Sequence, residues 1–392
     1  MKILIAHNQY QYRGGEDSVV EAETALLREY GHEVKIYQRS NHELSTVSRA
    51  SAAVSTLWSH RSTHDIREAF KVFSPDILHV HNTFPLISPS IYWAAADEKV
   101  PVVQTLHNFR LLCPQAMFLR EGKVCQDCVG KIPWRAVARK CYRESLVQSA
   151  VTVTMLAQHR AIGTYQNQVT MYIALNEFSR KKFIEGGLPA DRIRIKPNFV
   201  SSKLKSNLDA RQGGLFVGRL SEEKGLHVLA QAIKLLKGVQ IWIAGSGPLE
   251  HVVRSEFGEF YVGLKTQAEL AVMLGSVRYL VAPSTGIETF GMVAIEAFAC
   301  GTPVIASRQG GLADLVADGV TGLLVNPADA ADLAEKIAWA EAHPEQMMKM
   351  GQAAREEYER KYSPNRNYAM LMGIYDAARQ TVTAPERFTD VV

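Results

Sequence analysis

The sequence contains no apolar run that approaches the length needed to cross a membrane. A spanning helix needs about 20 consecutive apolar residues, and every apolar stretch here is interrupted well before that. The opening residues MKILIAHNQY hold only a short apolar run before a histidine, too short for the core of a secretory signal peptide. We therefore expect a cytoplasmic protein.

The spacing Asp-x-Asp, the usual carboxylate pair for a catalytic Mg²⁺ or Mn²⁺, is also missing from the sequence. The sequence has only five cysteines. In a cytoplasmic protein we expect them to be free thiols or metal ligands rather than disulfides. The net charge is only +4, but residues 1–200 carry 25 Lys/Arg against 18 Asp/Glu. This surplus favours an anionic partner for the first half.

What the sequence does contain is an alternation of strand and helix patterns over 392 residues, enough for about two domains. Short apolar runs such as KILIA and VQIWIAG predict buried parallel strands, and helical periodicity follows each one. The pattern predicts two Rossmann-like, doubly wound α/β domains with an interdomain cleft. We place the domains at 1–200 and 201–365, the hinge at 196–214, and at 366–392 a helix that crosses back to the first domain.

Ligands of open parallel sheets bind beyond the carboxyl ends of the strands, so the cleft is the expected site. Glycines occur at several of these ends and let a ligand approach the backbone closely. They are Gly14 and Gly15 in the first domain and Gly218, Gly245 and Gly247 in the second. Three histidines, His7, His81 and His107, also end predicted first-domain strands.

Two glutamates, Glu288 and Glu296, flank a Phe-Gly pair in GIETFGMVAIEAFACGTPVIA. If a helix begins near Phe290, its amino end favours an anion, and the glutamates lie roughly 12 Å apart along its axis. That distance fits a hexose, a diphosphate and a ribose, with one carboxylate for the hydroxyls of each ring. Glycoside hydrolases place their carboxyl groups closer together, at about 5–9.5 Å. Alternatively, Glu288 is an ordinary loop residue and Glu296 a solvated helix residue.

The two glutamates fit the E-x7-E motif, and the chain resembles retaining nucleotide-sugar glycosyltransferases of the GT-B fold, in particular glycosyltransferase family 4. The resemblance covers nearly the whole chain. Besides 286–306 it rests on RGGED at 13–17, TLHN at 105–108, VGRLSEEKG at 217–225 and IAGSGPLE at 243–250.

The resemblance implies a metal-independent transfer with retention of anomeric configuration, in which the leaving phosphate deprotonates the incoming hydroxyl. Arg219 and Lys224, two cations after a strand, can hold the diphosphate. With them, the family pattern makes His107 and Glu288 catalytic residues. The expected donor-binding residues are Gly14, Gly15, Gly218, Gly245, Gly247, Thr289, Phe290, Gly291 and Glu296.

An insertion at 109–146 contains four cysteines, Cys113, Cys125, Cys128 and Cys141. Four thiolates at such spacing can complete a tetrahedral structural Zn²⁺ site, although C-x11-C-x2-C-x12-C is less specific than two C-x2-C pairs. Reduced thiols without a metal are the alternative.

The same insertion carries Lys131, Arg135, Arg139 and Arg143 at four-residue intervals. On one helix they would form a basic stripe over 131–143, suited to an anionic membrane surface or to an acceptor that carries a diphosphate. A solvated face is the alternative. The aromatic residues do not interleave with the basic ones, so nucleic acid is not an expected partner.

The sequence therefore predicts an enzyme that moves a sugar from a nucleotide-diphosphate sugar to a hydroxyl of a glycan or lipid-linked glycan, in cell-surface polysaccharide biosynthesis. A sugar-nucleotide epimerase on the same fold and a non-catalytic nucleotide-sugar-binding protein are the alternatives. Only the transferase should release nucleoside diphosphate in response to an acceptor.

Overall fold

The computed structural model describes residues 1–11, 14–201 and 211–383, which form two α/β domains, each on a six-stranded parallel sheet. Arg13 of the RGGED stretch and residues 202–210 of the expected hinge lie outside the described residues. The sequence-based prediction of two doubly wound domains is confirmed.

In the described residues, the first domain contains eight strands and eight α-helices. The strands are β1 (Lys2–Gln9), β2 (Glu33–Ser40), β3 (Ile77–Asn82), β4 (Val102–Thr105), β5 (Leu119–Arg120), β6 (Lys123–Val124), β7 (Met171–Ala174) and β8 (Ile193–Ile195). The helices are α1 (Gly15–Glu29), α2 (Arg49–Leu57), α3 (His60–Phe73), α4 (Ser90–Asp97), α5 (Arg135–Ala138), α6 (Leu146–Ala161), α7 (Thr164–Asn167) and α8 (Glu177–Glu185). The strand order is β2-β1-β3-β4-β7-β8, while β5 and β6 form a separate antiparallel hairpin in the insertion.

The second domain repeats this architecture. Its strands are β9 (Gly214–Val217), β10 (Ile241–Ala244), β11 (Tyr261–Gly263), β12 (Tyr279–Ala282), β13 (Val304–Ser307) and β14 (Gly322–Val325). Its helices are α9 (Leu226–Lys234), α10 (Glu250–Phe257), α11 (Gln267–Ser276), α12 (Met292–Ala299), α13 (Gly310–Leu315), α14 (Ala330–Ala342) and α15 (Pro344–Glu357). The strand order is β11-β10-β9-β12-β13-β14.

The strand order decides where a ligand can bind. Both sheets are parallel, but the side on which successive strands are added changes once in each. This change of strand order falls between β1 and β3 in the first sheet and between β9 and β12 in the second. The loops that leave these strands diverge to opposite faces, which opens a crevice at the carboxyl ends. The loops after β9 and β12 contain Lys224 and Glu288, and those after β1 and β4 contain Gly14 and His107.

A last helix, α16 (Pro364–Thr383), returns to the first domain. Its apolar face, with Leu371, Ile374 and Tyr375, joins a core cluster with Ile3 and Ile5 of β1. Burial of this face against the first sheet fixes the helix there. Residues 384–392 of the predicted crossing segment lie outside the described part of the chain.

The insertion differs from the prediction of one basic helix. Only α5 is helical between residues 131 and 143, and Lys140 and Arg143 have φ of 51° and 52°, outside the right-handed helical region. Arg139 also forms an ion pair with Asp127 at 2.6 Å. The predicted continuous stripe over 131–143 is therefore wrong, because left-handed residues turn the chain and place the basic side chains on separate segments.

Candidate active site in the interdomain cleft

Two loops of the second domain, those after β9 and β12, are held together by their backbones. Gly225 has φ of +72°, and a β-carbon there would lie 1.9 Å from the carbonyl oxygen of Pro283. The amides of Thr285 and Gly286 both donate to the carbonyl of Glu223, at 2.9 and 3.0 Å. These contacts fix the two loops relative to each other.

This arrangement brings together two of the predicted catalytic side chains. The ammonium of Lys224 lies 3.0 Å from Oε1 of Glu288, and the hydroxyl of Ser284 donates to the same oxygen. Burial alone would raise the pKa of Glu288, but Lys224 and Ser284 outweigh it and hold that pKa below its ordinary value. Glu288 is therefore an ionised carboxylate at neutral pH, paired with the cation that is expected to contact phosphate.

Arg219 is exposed and has no ion pair within the described residues. The glycines near it are required by a close approach between loops: a β-carbon at Gly245 would lie 1.9 Å from the carbonyl oxygen of Gly218. At Gly247 it would lie 2.5 Å from the carbonyl oxygen of Leu220. These glycines thus shape the loop that carries Arg219, whether or not a ligand touches them.

Helix α12 begins at Met292, slightly later than the predicted start near Phe290, because Gly291 has φ of +101° and cannot be helical. The side chain of Phe290 is only 4% exposed and packs against Tyr362 in the second-domain core. A nucleotide-sugar donor could therefore contact only the backbone amide of Phe290. The carbonyl of Thr289 accepts a bond from the Asn176 amide across the domain interface, at 2.7 Å.

Glu296 lies within α12 and is partly exposed. Burial raises the pKa of its carboxyl group, and no charged neighbour opposes the shift. Within residues 1–11, 14–201 and 211–383 its carboxylate has no hydrogen bond or ion pair. Its oxygens are therefore free to accept hydrogen bonds from a ligand.

The first domain presents its own loops to the start of α12. A β-carbon at Gly15 would lie 3.9 Å from Cγ of Met292, and Gly14 precedes it as the residue before α1. The next residue, Glu16, accepts bonds from Tyr10 at 3.0 Å and from Asn108 at 3.3 Å. The loops after β1 and β4 therefore meet and face α12.

His107 is next to Asn108 in this rim, and its Nε2 lies 2.9 Å from Nδ1 of His81. Burial lowers the pKa of His107 to about 3, so the ring is neutral at physiological pH. His7 lies near the end of strand β1, and its Nε2 is hydrogen-bonded to Asp17 at 2.7 Å.

Sequence reasoning missed two carboxylates near this rim, Glu16 and Glu23. Burial raises the pKa of Glu16 to about 7. Glu23 is 1% exposed and contacts Lys196 at 2.7 Å. The signal that could have found them is that α1 carries acidic residues on the face that its apolar periodicity turns inward.

The four cysteines of the insertion are free thiols. Burial raises the pKa of Cys128 to about 11, and the neighbouring Cys113, Cys125 and Cys141 add to the rise, so the four lie in one region. In the part of the chain that the structure describes, no three of their sulfur atoms lie within 4.8 Å of one another. The structural zinc site stays a prediction.

Comparisons with known proteins find relatives along most of the chain. The family model described as Glycosyltransferase Family 4 matches residues 13–204, and that described as Glycosyl transferases group 1 matches residues 210–357. A D-inositol 3-phosphate glycosyltransferase of Mycolicibacterium vanbaalenii is 30% identical over 294 residues, which cover 67% of this chain and 59% of that protein. The chain spans about half the length of the curated relatives it matches.

Two solved structures are similar over nearly the whole chain. Sucrose-phosphate synthase from Thermosynechococcus elongatus has a TM-score of 0.70 at 19% identity, over 96% of this chain and 98% of that one. HepE of Anabaena, solved in complex with UDP, has a TM-score of 0.68 at 16% identity, over 96% of this chain and 100% of that one. At such identities the likeness establishes the fold alone.

Proposed function

The chain belongs to glycosyltransferase family 4 and has the GT-B fold, and from this we propose that it transfers a sugar from a nucleotide-diphosphate sugar to an acceptor hydroxyl. The observation that carries the proposal is the contact between Lys224 and Glu288 at 3.0 Å. A cation for phosphate and an ionised carboxylate for sugar hydroxyls are thereby held side by side at the switch point of the second sheet.

The donor is proposed to lie across the crevice with its diphosphate between Arg219 and Lys224. Both cations stabilise the negative charge that develops on the leaving phosphate oxygen. With two cations and the amides at the start of α12, the residues present can do this without a metal ion. The nucleotide would extend toward Glu296, whose unpaired carboxylate suits the ribose hydroxyls.

The sugar is proposed to lie between Glu288 and the rim of the first domain. The bond from the anomeric carbon to the phosphate oxygen breaks, and its electron pair leaves with the phosphate. The acceptor oxygen bonds to the anomeric carbon on the same face and gives its proton to that phosphate, so configuration is retained. His107, neutral because of its lowered pKa, can hydrogen-bond the sugar without adding positive charge next to the forming cation.

A hydroxyl of a glycan or lipid-linked glycan is the proposed acceptor, as part of cell-surface polysaccharide synthesis. Attachment to an anionic membrane surface would fit such an acceptor. No helix in the described ranges is long and apolar enough to cross a bilayer. The insertion, however, exposes Ile132 at 68% and Trp134 at 62%, beside the exposed basic residues Lys131 and Arg135. Apolar side chains among basic ones suit a headgroup layer.

The proposed activity is tested by release of nucleoside diphosphate from UDP-, GDP- and ADP-sugars, with and without a glycan acceptor. Release that depends on the acceptor and persists in EDTA is expected. Glu288→Ala should abolish transfer while leaving nucleotide binding largely intact. Acceptor-independent turnover or full activity of this variant would refute the assignment.

The structural zinc proposal is tested separately. Metal analysis of the purified protein should give one zinc per chain, and Cys125→Ser should lower it while leaving the fold of the second domain unchanged. If the purified protein contains no zinc and all four cysteines of the insertion react as free thiols, the zinc site is rejected and the cysteines are reduced thiols without a metal.

A further inference from the structure

A row of buried polar groups extends behind His107 into the first domain. Nε2 of His107 contacts Nδ1 of His81 at 2.9 Å, and Nε2 of His81 lies 3.5 Å from Oε1 of Glu23. The other oxygen of Glu23 accepts from Lys196 at 2.7 Å, and Lys196 also donates to Asn367 of α16 at 3.1 Å. The row therefore links the cleft to both segments that join the domains.

Glu23 is an ionised carboxylate in this row. It is 1% exposed, and Lys196 is fully buried. Burial alone would raise the pKa of Glu23, but the charge of Lys196 and the contact with His79 bring that pKa well below its ordinary value. An ionised carboxylate accepts hydrogen bonds and donates none.

This charge decides which nitrogen of His81 carries the proton. A lone pair on Nε2 would face the anion in a low-dielectric interior, whereas an N–H there is attracted to it. His81 is neutral, since burial keeps its pKa well below the ordinary value, so it has a single ring proton. With that proton on Nε2, Nδ1 is left as an acceptor.

The acceptor on His81 in turn fixes His107. Their contact at 2.9 Å needs one donor and one acceptor, and Nδ1 of His81 can only accept. Nε2 of His107 must therefore hold the ring proton, and Nδ1 of His107 is left with a lone pair.

We propose that Glu23 is a positioning residue that acts through His81 to hold His107 in one tautomer, with Nδ1 as a hydrogen-bond acceptor for a hydroxyl of the donor sugar. The role of His107 toward the sugar rests on the proposed function, whereas the tautomer does not. A tautomer fixed in advance removes the reorientation that would otherwise accompany transfer.

A metal-binding role for Glu23, His79 and His81 is less well supported than the positioning role. The ligand atoms of Glu23, His79 and His81 lie within 4.8 Å of one another. However, the ammonium of Lys196 already neutralises Glu23 at 2.7 Å, and the hydroxyl of Tyr375 occupies Nδ1 of His79 at 2.7 Å. The charge and contacts that a metal would supply are present in the protein itself.

The test uses the double variant Glu23→Gln/Lys196→Met. Glu23→Gln alone would strand a buried ammonium, whereas the double variant replaces the ion pair with neutral residues of similar size and should fold. Tyr375→Phe is the control, because it removes a buried hydroxyl from His79 without touching His81. Thermal denaturation establishes that both variants are folded.

The decisive readout is ¹⁵N NMR of histidine-labelled protein, with the signals of His107 assigned from a His107→Gln sample. In wild type and Tyr375→Phe, Nε2 of His107 should carry the proton. In the double variant the amide of the glutamine introduced at position 23 can donate to Nε2 of His81, so His81 can carry its proton on Nδ1 and donate it to His107. A substantial fraction of the molecules should then carry the ring proton of His107 on Nδ1. The same tautomer in all three samples would overturn the proposal.

Kinetics supply the second readout. The double variant should show kcat lowered about 10- to 100-fold with the KM of the donor changed much less, while Tyr375→Phe stays within about twofold. Wild-type kcat in a folded double variant with a shifted tautomer would reject the catalytic part of the proposal. If wild type shows no transfer with any sugar nucleotide, the proposed function fails and NMR alone decides the tautomer.

Discussion

Replacement of Glu296 by glutamine should stabilise the free protein and weaken nucleotide binding. Its carboxylate is partly buried without a partner, and burial alone raises its pKa. Glutamine keeps a polar group at this position but removes the charge. An unpartnered charge costs more to bury than a neutral amide, so with partial exposure we expect a difference of about 1 kcal/mol. A gain of about 1 kcal/mol in the free energy of unfolding raises Tm by about 2–4 °C for a domain of this size.

The gain should depend on pH with a defined sign. Because the folded-state pKa of Glu296 is raised, the stabilising contribution of its carboxyl group is complete below the unfolded pKa of about 4.3 and is lost as pH rises through the folded pKa. Glutamine does not titrate. The difference in Tm between Glu296→Gln and wild type should therefore be small near pH 4 and should grow toward neutral pH.

Binding should change in the opposite direction. A hydrogen bond to a charged group contributes about 1.5–3 kcal/mol, so loss of the charge should weaken nucleoside diphosphate binding roughly 10- to 150-fold. Calorimetry with the diphosphate that binds best among UDP, GDP and ADP measures this. Glu356→Gln, an exposed glutamate on α15, is the matched control. Unchanged stability at neutral pH would show that the carboxylate is paired, and unchanged affinity would remove Glu296 from the donor site.

Further predictions concern the loop after β9, the buried ion pair of Glu23 and Lys196, and the insertion at 109–146. Lys224→Met should lower kcat about 100- to 1,000-fold in the release assay, because a fixed cation no longer meets the leaving phosphate. Gly225→Ala should cost about 1–3 kcal/mol in urea unfolding, since its β-carbon would lie 1.9 Å from the Pro283 carbonyl oxygen; native stability would contradict the loop contact. Lys196→Met should cost about 3–5 kcal/mol by leaving Glu23 charged and buried, and a smaller loss would mean that water reaches the pair. Trp134→Ser should reduce flotation with anionic liposomes, and equal flotation of both proteins would exclude this contact.

Local sequence determined much of the architecture. Apolar runs such as KILIA and DILHVHN form β1 and β3 because a strand buried on both faces needs continuous apolar character. The glycines at strand ends were assigned from the sequence to the approach of a ligand, and the structure shows that Gly245 and Gly247 also lie where two loops of the protein approach each other closely. The E-x7-E spacing placed Glu288 before α12 and Glu296 within it, since helical geometry is set by a few neighbouring residues.

Where local pattern failed, a conformation or a contact distant in sequence was decisive. Basic residues every four positions predicted one helix over 131–143, yet Lys140 and Arg143 take left-handed backbone conformations and Arg139 turns to Asp127. The family pattern made Phe290 a donor-binding residue, and the structure packs its side chain against Tyr362 of a later segment, which leaves its backbone amide for that role. The spacing of apolar and polar residues along a helix or strand indicates which of its faces is expected to be buried. It does not indicate which other part of the chain packs against that face.

The buried row behind His107 depended most on tertiary structure. Glu23, Lys196 and Asn367 come from three parts of the chain and meet because α16 returns to the first sheet. In the sequence each is an ordinary polar residue of a helix or loop. Their charges and proton positions follow from burial and from one another, and these exist only once the parallel sheet and the returning helix have brought the three together.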